Sequence, residues 1–209
     1  MPAQVVVVAG PSGSGKSRLC QRLSAELGLP VVNLDDFYKD GSDPTLPRVH
    51  LSGGAPVVDW DDPASWVLAD AVTALDQLCR TGRADIPIYD IASDGRVGDR
   101  VVRLDGAALV LAEGIFADQV VGPCRASGLL ADAICVHNPR LLTFWRRLVR
   151  DLRERRKPPW VLVRRGFSLL RHDLDVVARA ERAGCTVLDS EGAYQQVRER
   201  AAHRPDVAG

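Results

Sequence analysis

Hydrophobic runs of three to five residues alternate along the chain with stretches in which apolar residues recur every three or four positions. The first run, at 5–9, is mostly β-branched and ends at Gly10, which predicts a buried parallel strand. Leucines at positions 19, 23 and 27 then predict a helix that ends at Gly28. Further strands are predicted at 31–34, 86–89, 109–112, 133–136 and 186–188, with 97–103 as half of a hairpin.

Proline and glycine mark the ends of the predicted helices. Asp62-Pro63 predicts an N-cap and a first helical residue for a helix that ends at Gly82. Asn138-Pro139 predicts the start of a long helix that Pro158-Pro159 would end. Further helices are predicted at 169–183 and after 188, and 204–209 should fray. Because strands alternate with helices, we expect an α/β fold with a mainly parallel sheet, in a single domain over 1–209.

The composition agrees with one folded domain. The 209 residues are 46% hydrophobic, and 27 basic residues balance 27 acidic ones. A balanced charge predicts no global affinity for nucleic acid or for a membrane surface, and no apolar run is long enough for a signal sequence or a membrane span. The five cysteines are scattered, which indicates neither a disulfide framework nor a zinc site. We therefore expect a cytoplasmic protein, and the sequence leaves a homo-oligomer open.

The segment 10–17 carries the clearest chemistry. Its sequence, Gly-Pro-Ser-Gly-Ser-Gly-Lys-Ser, matches the phosphate-loop pattern G-x-x-x-x-G-K-[ST] between a predicted strand and a predicted helix. Glycines allow consecutive backbone N–H groups to surround phosphate oxygens, and the helix adds its positive end. Lys16 would contact the β- and γ-phosphates, and the Ser17 hydroxyl would bind Mg²⁺. The predicted nucleoside-triphosphate site consists of Gly10, Ser12, Gly13, Ser14, Gly15, Lys16 and Ser17.

Acidic residues follow the predicted strands at the edge where open α/β sheets bind ligands. Asp35 comes directly after the second strand, where a carboxylate could accept the proton of an attacking hydroxyl or orient Mg²⁺. From this segment alone, a solvated acidic turn is an equal alternative. Later in the chain come D-W-D-D-P-A-S at 59–65, P-I-Y-D at 87–90 and L-V-L-A-E-G-I at 109–115.

Arginines dominate the segment 146–155, which reads R-R-L-V-R-D-L-R-E-R. Arg147 and Arg150 are three residues apart, so they would share a helix face. Cations there could stabilise the charge of a phosphoryl group in transfer, or the helix could be a solvated basic surface. No aromatic residues alternate with these charges, so we do not expect a nucleic-acid partner.

In their order over about 5–165, these motifs resemble the uridine kinase family of P-loop kinases, which includes phosphoribulokinase-like and nicotinamide-riboside-kinase-like relatives. The family's D-x-F-Y appears at 35–38, and its N-F-D-x-P-x-A appears at 59–65 with the aromatic residue and the central acid kept. Its P-x-Y-D, E-G-I and R-R-x-x-R-D-x-x-E-R appear at 87–90, 113–115 and 146–155. The resemblance implies the three-layer αβα fold of P-loop NTPases with a small helical lid at about 146–165.

The resemblance also implies a role for each matching residue. Asp35 would be the base that faces the ribose 5′-hydroxyl, with Lys16 as its catalytic partner on the phosphates. Glu113 would bind Mg²⁺ together with Ser17. The acceptor would be bound by Tyr38, Trp60, Asp61, Tyr89, Arg96 and Arg147. In the lid, Arg147 and Arg150 would be catalytic and Arg155 would bind the nucleotide.

Two positions depart from the family pattern. Where pyrimidine nucleoside kinases carry an aromatic residue and then a histidine, this chain has Ile91 and Asp94. The resemblance implies a kinase that uses ATP or GTP with Mg²⁺ on a small-molecule acceptor, uridine or cytidine first. Nicotinamide riboside and pantothenate stay open as acceptors. A nucleotide-dependent regulatory protein without acceptor turnover is the alternative from another class.

Overall fold

The computed structural model of the chain describes residues 2–50, 55–137 and 174–203. Its strands are β1 Gln4–Ala9, β2 Val31–Asn33, β3 Arg48–His50, β4 Pro56–Val58, β5 Arg83–Asp90, β6 Gly95–Arg103, β7 Leu109–Glu113, β8 Leu130–Val136 and β9 Thr186–Leu188. Its helices are α1 Lys16–Leu27, α2 Leu68–Thr81, α3 Asp118–Ala126, α4 at 174–183 and α5 Ser190–Ala202. The predicted helix from Asn138, the lid at 146–165, the start of the helix at 169–183 and the frayed end at 204–209 lie outside these residues.

Five strands form one parallel sheet in the order β2-β7-β1-β8-β9. In the central strand, Val5 pairs with Val110 on one side and with Leu130 on the other. The predicted parallel sheet is therefore confirmed, and β1 is buried on both faces, as its β-branched run predicts.

Helices cover both faces of this sheet. Val5 and Val7 belong to a core cluster that includes residues of α2 and α3, whereas Val6 and Val8 belong to a second cluster with residues of α1 and α5. Successive side chains of a strand point to opposite faces, so the two clusters lie on opposite sides of the sheet. The result is the three-layer α/β architecture expected from the sequence.

Two antiparallel hairpins stand apart from the sheet. In the first, β5 pairs with β6. The strand predicted at 86–89 is therefore longer than expected, and the half-hairpin predicted at 97–103 pairs with it. In the second, β3 pairs with β4 through strands of three exposed or half-exposed residues, which the sequence pattern did not predict. The helix α3 was also not predicted.

The predicted start of the second helix was wrong. The Asp62 side chain does act as a cap, because it accepts a hydrogen bond from the Ala64 N–H at 2.8 Å, but it caps a short 3₁₀ turn, Pro63–Ser65. The chain then runs extended at Trp66, whose indole N–H donates to the Leu34 carbonyl at 2.6 Å, and α2 begins only at Leu68. The long-range contact of Trp66 with Leu34 therefore outweighs the local helix-start signal of Asp62-Pro63.

In the part of the chain that the structure describes, no helix has the length and apolar character needed to cross a membrane. All five cysteines are buried and none forms a disulfide.

Candidate active site

The phosphate loop joins β1 to α1 through glycines in the left-handed region, Gly13 at φ 77° and Gly15 at φ 101°. Gly10, at φ 138°, approaches the neighbouring strand so closely that a Cβ there would lie 2.4 Å from the Val136 carbonyl oxygen. Only glycine satisfies both the dihedral angle and the space at this position. The loop therefore ends at the N-terminus of α1, where free N–H groups favour a bound anion.

Lys16 is the first residue of α1 and is buried, although it carries an ammonium group. Its Nζ donates to the Pro11 carbonyl within the loop at 3.2 Å. Burial lowers the pKa of Lys16, and the nearby carboxylates Asp35 and Glu113 oppose that shift. A phosphate group at this loop would give the buried ammonium a stronger partner than a carbonyl.

Glu113 ends β7 directly beside β1, where it pairs in register with Val8. It is buried, and the Ser17 hydroxyl donates a hydrogen bond to its carboxylate. Burial raises the pKa of Glu113, which the hydrogen bond from Ser17 and the charge of Lys16 partly offset. Two hard oxygen donors next to the phosphate loop suit Mg²⁺, which keeps most of its ligands as waters and phosphate oxygens. Among the described residues there is no cluster of three or more His, Cys, Asp or Glu that could hold a metal by itself.

Asp35 lies in the 3₁₀ turn Leu34–Phe37, which follows β2 at the carboxyl edge of the sheet. The Asn33 side chain caps this turn by accepting from the Asp35 N–H at 3.2 Å. The Asp35 carboxylate accepts from the Ile115 N–H at 2.9 Å, so its orientation is fixed by the loop after β7. Burial raises the pKa of Asp35, while this hydrogen bond and the charge of Lys16 lower it.

Aromatic rings form the far side of the site. The Tyr38 ring lies 5.8 Å from those of both Trp60 and Tyr89 and 6.0 Å from that of Phe116. The Tyr38 hydroxyl donates to the Trp60 carbonyl at 3.2 Å, which ties the turn after β2 to the segment 59–62. Such edge-to-face and tilted pairs hold rings in place and leave their remaining surface for a ligand.

These groups surround one cavity of about 730 Å³. Of the residues predicted from the sequence, it is lined by Ser12, Gly13, Gly15, Lys16, Ser17, Asp35, Tyr38, Trp60, Asp61 and Tyr89. The remaining lining residues are Arg18, Asn33, Asp36, Ile91, Asp94 and Ile115. The cavity thus joins a phosphate-binding end to an end with aromatic and acidic side chains. Its size is in the range of small-molecule sites.

The other predicted residues have different positions. Gly10 shapes the loop without lining the cavity, Ser14 is buried within the loop, and Glu113 lines a smaller adjoining cavity together with Ser17. Arg96 points elsewhere: its guanidinium forms an ion pair with Asp99, rather than with Asp94 or the cavity. The predicted lid arginines, Arg147, Arg150 and Arg155, lie outside the described residues.

Six lining residues were not predicted as site residues, and three of them, Asn33, Ile115 and Arg18, show why. Asn33 lies at a strand end, and its side chain caps the turn that contains Asp35. Ile115 binds Asp35 through its backbone N–H, so no side-chain motif marks either role. Arg18, in the first turn of α1, is exposed and borders the phosphate end of the cavity. The position of Asn33 and Arg18 directly beside motif residues is the one signal that could have suggested them.

Segments of several known proteins are similar in sequence to this chain. The chain is 28% identical over 116 residues to a uridine kinase of Saccharomyces cerevisiae and 34% identical over 115 residues to one of Schizosaccharomyces pombe. These matches cover 54% and 53% of this chain but only 22% and 24% of the two relatives. A segment of the inorganic pyrophosphatase TTM1 of Arabidopsis thaliana is 34% identical over 117 residues, or 54% of this chain and 16% of that protein.

A solved structure supports the fold independently. The crystal structure of a candidate fructose transport system kinase from Silicibacter sp. TM1040 superposes with a TM-score of 0.61 at 19% identity, covering 90% of each chain. At the level of sequence, residues 5–158 match the model of the Phosphoribulokinase / Uridine kinase family. This match covers most of the chain and includes the phosphate loop, the turn with Asp35 and the strand that ends at Glu113, so the protein belongs to that family.

Proposed function

We propose that the protein is a kinase that transfers the γ-phosphoryl group of ATP or GTP, with Mg²⁺, to the 5′-hydroxyl of a nucleoside. Uridine and cytidine are the first acceptors to consider. The observation that carries the proposal is the cavity itself, which has Lys16 and the phosphate loop at one end, the aromatic rings at the other, and the Asp35 carboxylate on its wall.

The chemistry follows from these positions. The Asp35 carboxylate would take the proton of the acceptor hydroxyl while the hydroxyl oxygen bonds to the γ-phosphorus. The bond between that phosphorus and the β,γ-bridging oxygen would break. Lys16 and the N-terminus of α1 would stabilise the charge on the phosphate oxygens. Mg²⁺ held near Ser17 and Glu113 would neutralise part of the triphosphate charge. Arg147, Arg150 and Arg155 are proposed to complete the site from the lid.

The aromatic and acidic end of the cavity supports acceptor turnover over a purely regulatory role. A nucleotide switch requires only a triphosphate site, whereas here three aromatic rings and Asp61 extend the cavity beyond the phosphate loop. Asp35 is also held by a backbone hydrogen bond while burial raises the pKa of its carboxyl group. A raised pKa suits a group that must gain a proton during the reaction.

A second acceptor is favoured by the charge at this end. Asp61 and Asp94 line it, and within the described ranges the basic residues of the cavity, Lys16 and Arg18, belong to the phosphate end. Carboxylates and aromatic faces attract a cationic ring and repel a carboxylate. Nicotinamide riboside, whose pyridinium ring is positively charged, is therefore the second candidate, and the carboxylate of pantothenate makes it a poor one.

The test is ADP production from MgATP with uridine, cytidine, adenosine, nicotinamide riboside, pantothenate or no acceptor. We expect stimulation by a nucleoside and none by pantothenate. Asp94→Asn should weaken binding of a cationic acceptor more than that of uridine, and Asp99→Asn, which removes the exposed partner of Arg96, is the matched control. Nucleotide binding with equal, slow hydrolysis under every condition would contradict the kinase and favour the regulatory alternative.

A further inference from the structure

A partly buried ion pair lies behind the cavity, between α3 and α4. The Asp118 side chain is only 2% exposed, and Arg179 binds both of its oxygens, Nε to Oδ2 at 2.7 Å and Nη2 to Oδ1 at 3.1 Å. Neither residue lines the cavity. Taking two charges out of water is unfavourable unless their geometry and remaining hydrogen bonds compensate, so such a pair invites a question about its role.

The same guanidinium reaches the loop that holds Asp35. Arg179 Nη2 donates to the Ile115 carbonyl at 3.0 Å, and its guanidinium carbon lies 5.2 Å from the centre of the Phe116 ring. The N–H of Ile115 donates to the Asp35 carboxylate at 2.9 Å. Both backbone polar groups of Ile115 are therefore bound by charged side chains, one from the cavity and one from α4.

Packing fixes the end of this loop, because Phe116 and Ala117 are buried in the core. At its start, the backbone hydrogen bonds from Gly114 N–H to the Val8 carbonyl and from Ala117 N–H to the Gly114 carbonyl are both 3.4 Å long. The contacts of Ile115 with Asp35 and Arg179 are shorter, and both involve a charged partner, which makes them the stronger interactions. Arg179 is thus a main polar contact that holds the carbonyl of Ile115.

We propose that Arg179, held by Asp118, is a positioning residue that fixes Ile115 so that its N–H keeps the Asp35 carboxylate directed at the acceptor. The inference rests on the proposed function for its effect on turnover, but the link between Arg179 and Asp35 can be measured without turnover. Phe116 extends the link to the acceptor end, because its ring lies near both the guanidinium and the Tyr38 ring.

Loss of this anchor has a defined consequence for Asp35. The carboxylate faces Lys16 of α1 and the neighbouring Asp36, and the Ile115 N–H is the hydrogen bond that lowers its pKa. If the loop shifts, that hydrogen bond weakens and Asp35 protonates at higher pH. The acid limb of kcat/KM should then move to higher pH, and kcat should fall by about 10- to 100-fold, by analogy with the loss of residues that orient metal ligands.

Two changes test the link. Arg179→Lys keeps a cation for Asp118 but cannot bind the carboxylate at two points and the Ile115 carbonyl together. The pair Asp118→Asn with Arg179→Met removes both charges, so no buried charge is left without a partner. Arg125→Lys is the matched control, because Arg125 also joins α3 to the end of α4, donating to the Ala183 carbonyl at 3.4 and 3.5 Å. Among the described residues, its hydrogen bonds do not reach the loop that holds Asp35.

The readouts are kcat, KM for ATP, the pH profile of kcat/KM, and the titration of the Asp35 carboxyl carbon by ¹³C NMR. We expect both Arg179 variants to lower kcat, leave KM for ATP unchanged and raise the titration midpoint of Asp35, with Arg125→Lys like the wild type. An unchanged Asp35 titration in folded Arg179 variants would overturn the inference. If the wild type turns over no acceptor, the proposed function fails, while the NMR titration still decides whether Arg179 positions Asp35.

Discussion

Gly114 has no side chain, which allows the Asp35 carboxylate to contact the loop after β7. Adding one methyl group at this glycine tests the contact. A Cβ at Gly114 would lie 2.8 Å from Asp35 Oδ1 and 3.0 Å from the Leu34 Cβ, whereas ordinary contacts begin at 3.4 Å. In Gly114→Ala, therefore, either the carboxylate or the Ile115 N–H that binds it must move. Both movements take Asp35 away from the position that we propose for the base.

The expected magnitude follows from the size of this clash. Overpacking a filled site by one methyl group typically costs about 1–3 kcal/mol. If most of that strain must be relieved by displacing Asp35 from the transition state, the rate falls by about 5- to 150-fold, since 1.36 kcal/mol is tenfold. KM for ATP should change little, because Gly114 does not line the cavity with the phosphate loop.

The assay is steady-state phosphoryl transfer with the best acceptor, next to thermal unfolding of the same variant. Gly98→Ala is the matched control: it is the same exchange within β6, a Cβ there meets no atom within 4 Å, and alanine suits a strand interior better than glycine by about 0.5–1 kcal/mol. We expect Gly98→Ala to keep wild-type kcat and not to lower Tm. A folded Gly114→Ala protein with wild-type kcat would refute the role given to this contact.

Four further predictions concern the buried charges of the site. Lys16→Ala should abolish turnover and leave the fold intact by circular dichroism, because we propose that the buried ammonium binds the phosphates; retained activity would remove the nucleotide site from this loop. Asp35→Asn should lower kcat by about 10²- to 10⁴-fold, and unchanged kcat would move the base to Asp36. The same variant should raise Tm at pH 7. Burial raises the pKa of Asp35 in the folded protein, so its ionised form opposes folding above the unfolded-state pKa. The gain in Tm should therefore vanish at a pH well below the ordinary pKa of 3.8. The kcat/KM of the wild type should fall with decreasing pH through an acid limb that lies above 3.8, and a limb at or below that value would contradict Asp35 as the titrating base.

The central sheet and the phosphate loop could be predicted because each is encoded locally. A β-branched run that is buried on both faces has one common explanation, and four fixed positions between a strand and a helix define the loop. Hairpin β3–β4 was not predicted because its short strands are largely exposed and carry no apolar alternation. Helix α3 starts at Asp118 after Ala117, which provides no side-chain cap, and contains Pro123, so it lacks the usual signals.

Side-chain direction and backbone roles were the parts of the site that the sequence could not supply. Arg96 matches a family position, yet Asp99 lies three residues further on the same strand and forms an ion pair with its guanidinium. Ile115 is significant for its N–H and its carbonyl, which any residue type would provide. The cap at Asp62 was recognised correctly, but only the contact of Trp66 with Leu34 decides that a 3₁₀ turn follows it.

The proposed kinase requires that one cavity bring a triphosphate and an acceptor hydroxyl to Asp35. The most direct test follows ³²P from [γ-³²P]ATP onto uridine, cytidine and nicotinamide riboside, with the wild type beside Asp35→Asn. We predict a labelled 5′-monophosphate from the wild type and at least a 100-fold slower transfer by the variant, at the lower end of the general-base range. Label that appears only as inorganic phosphate, at the same rate in both proteins, would contradict the account.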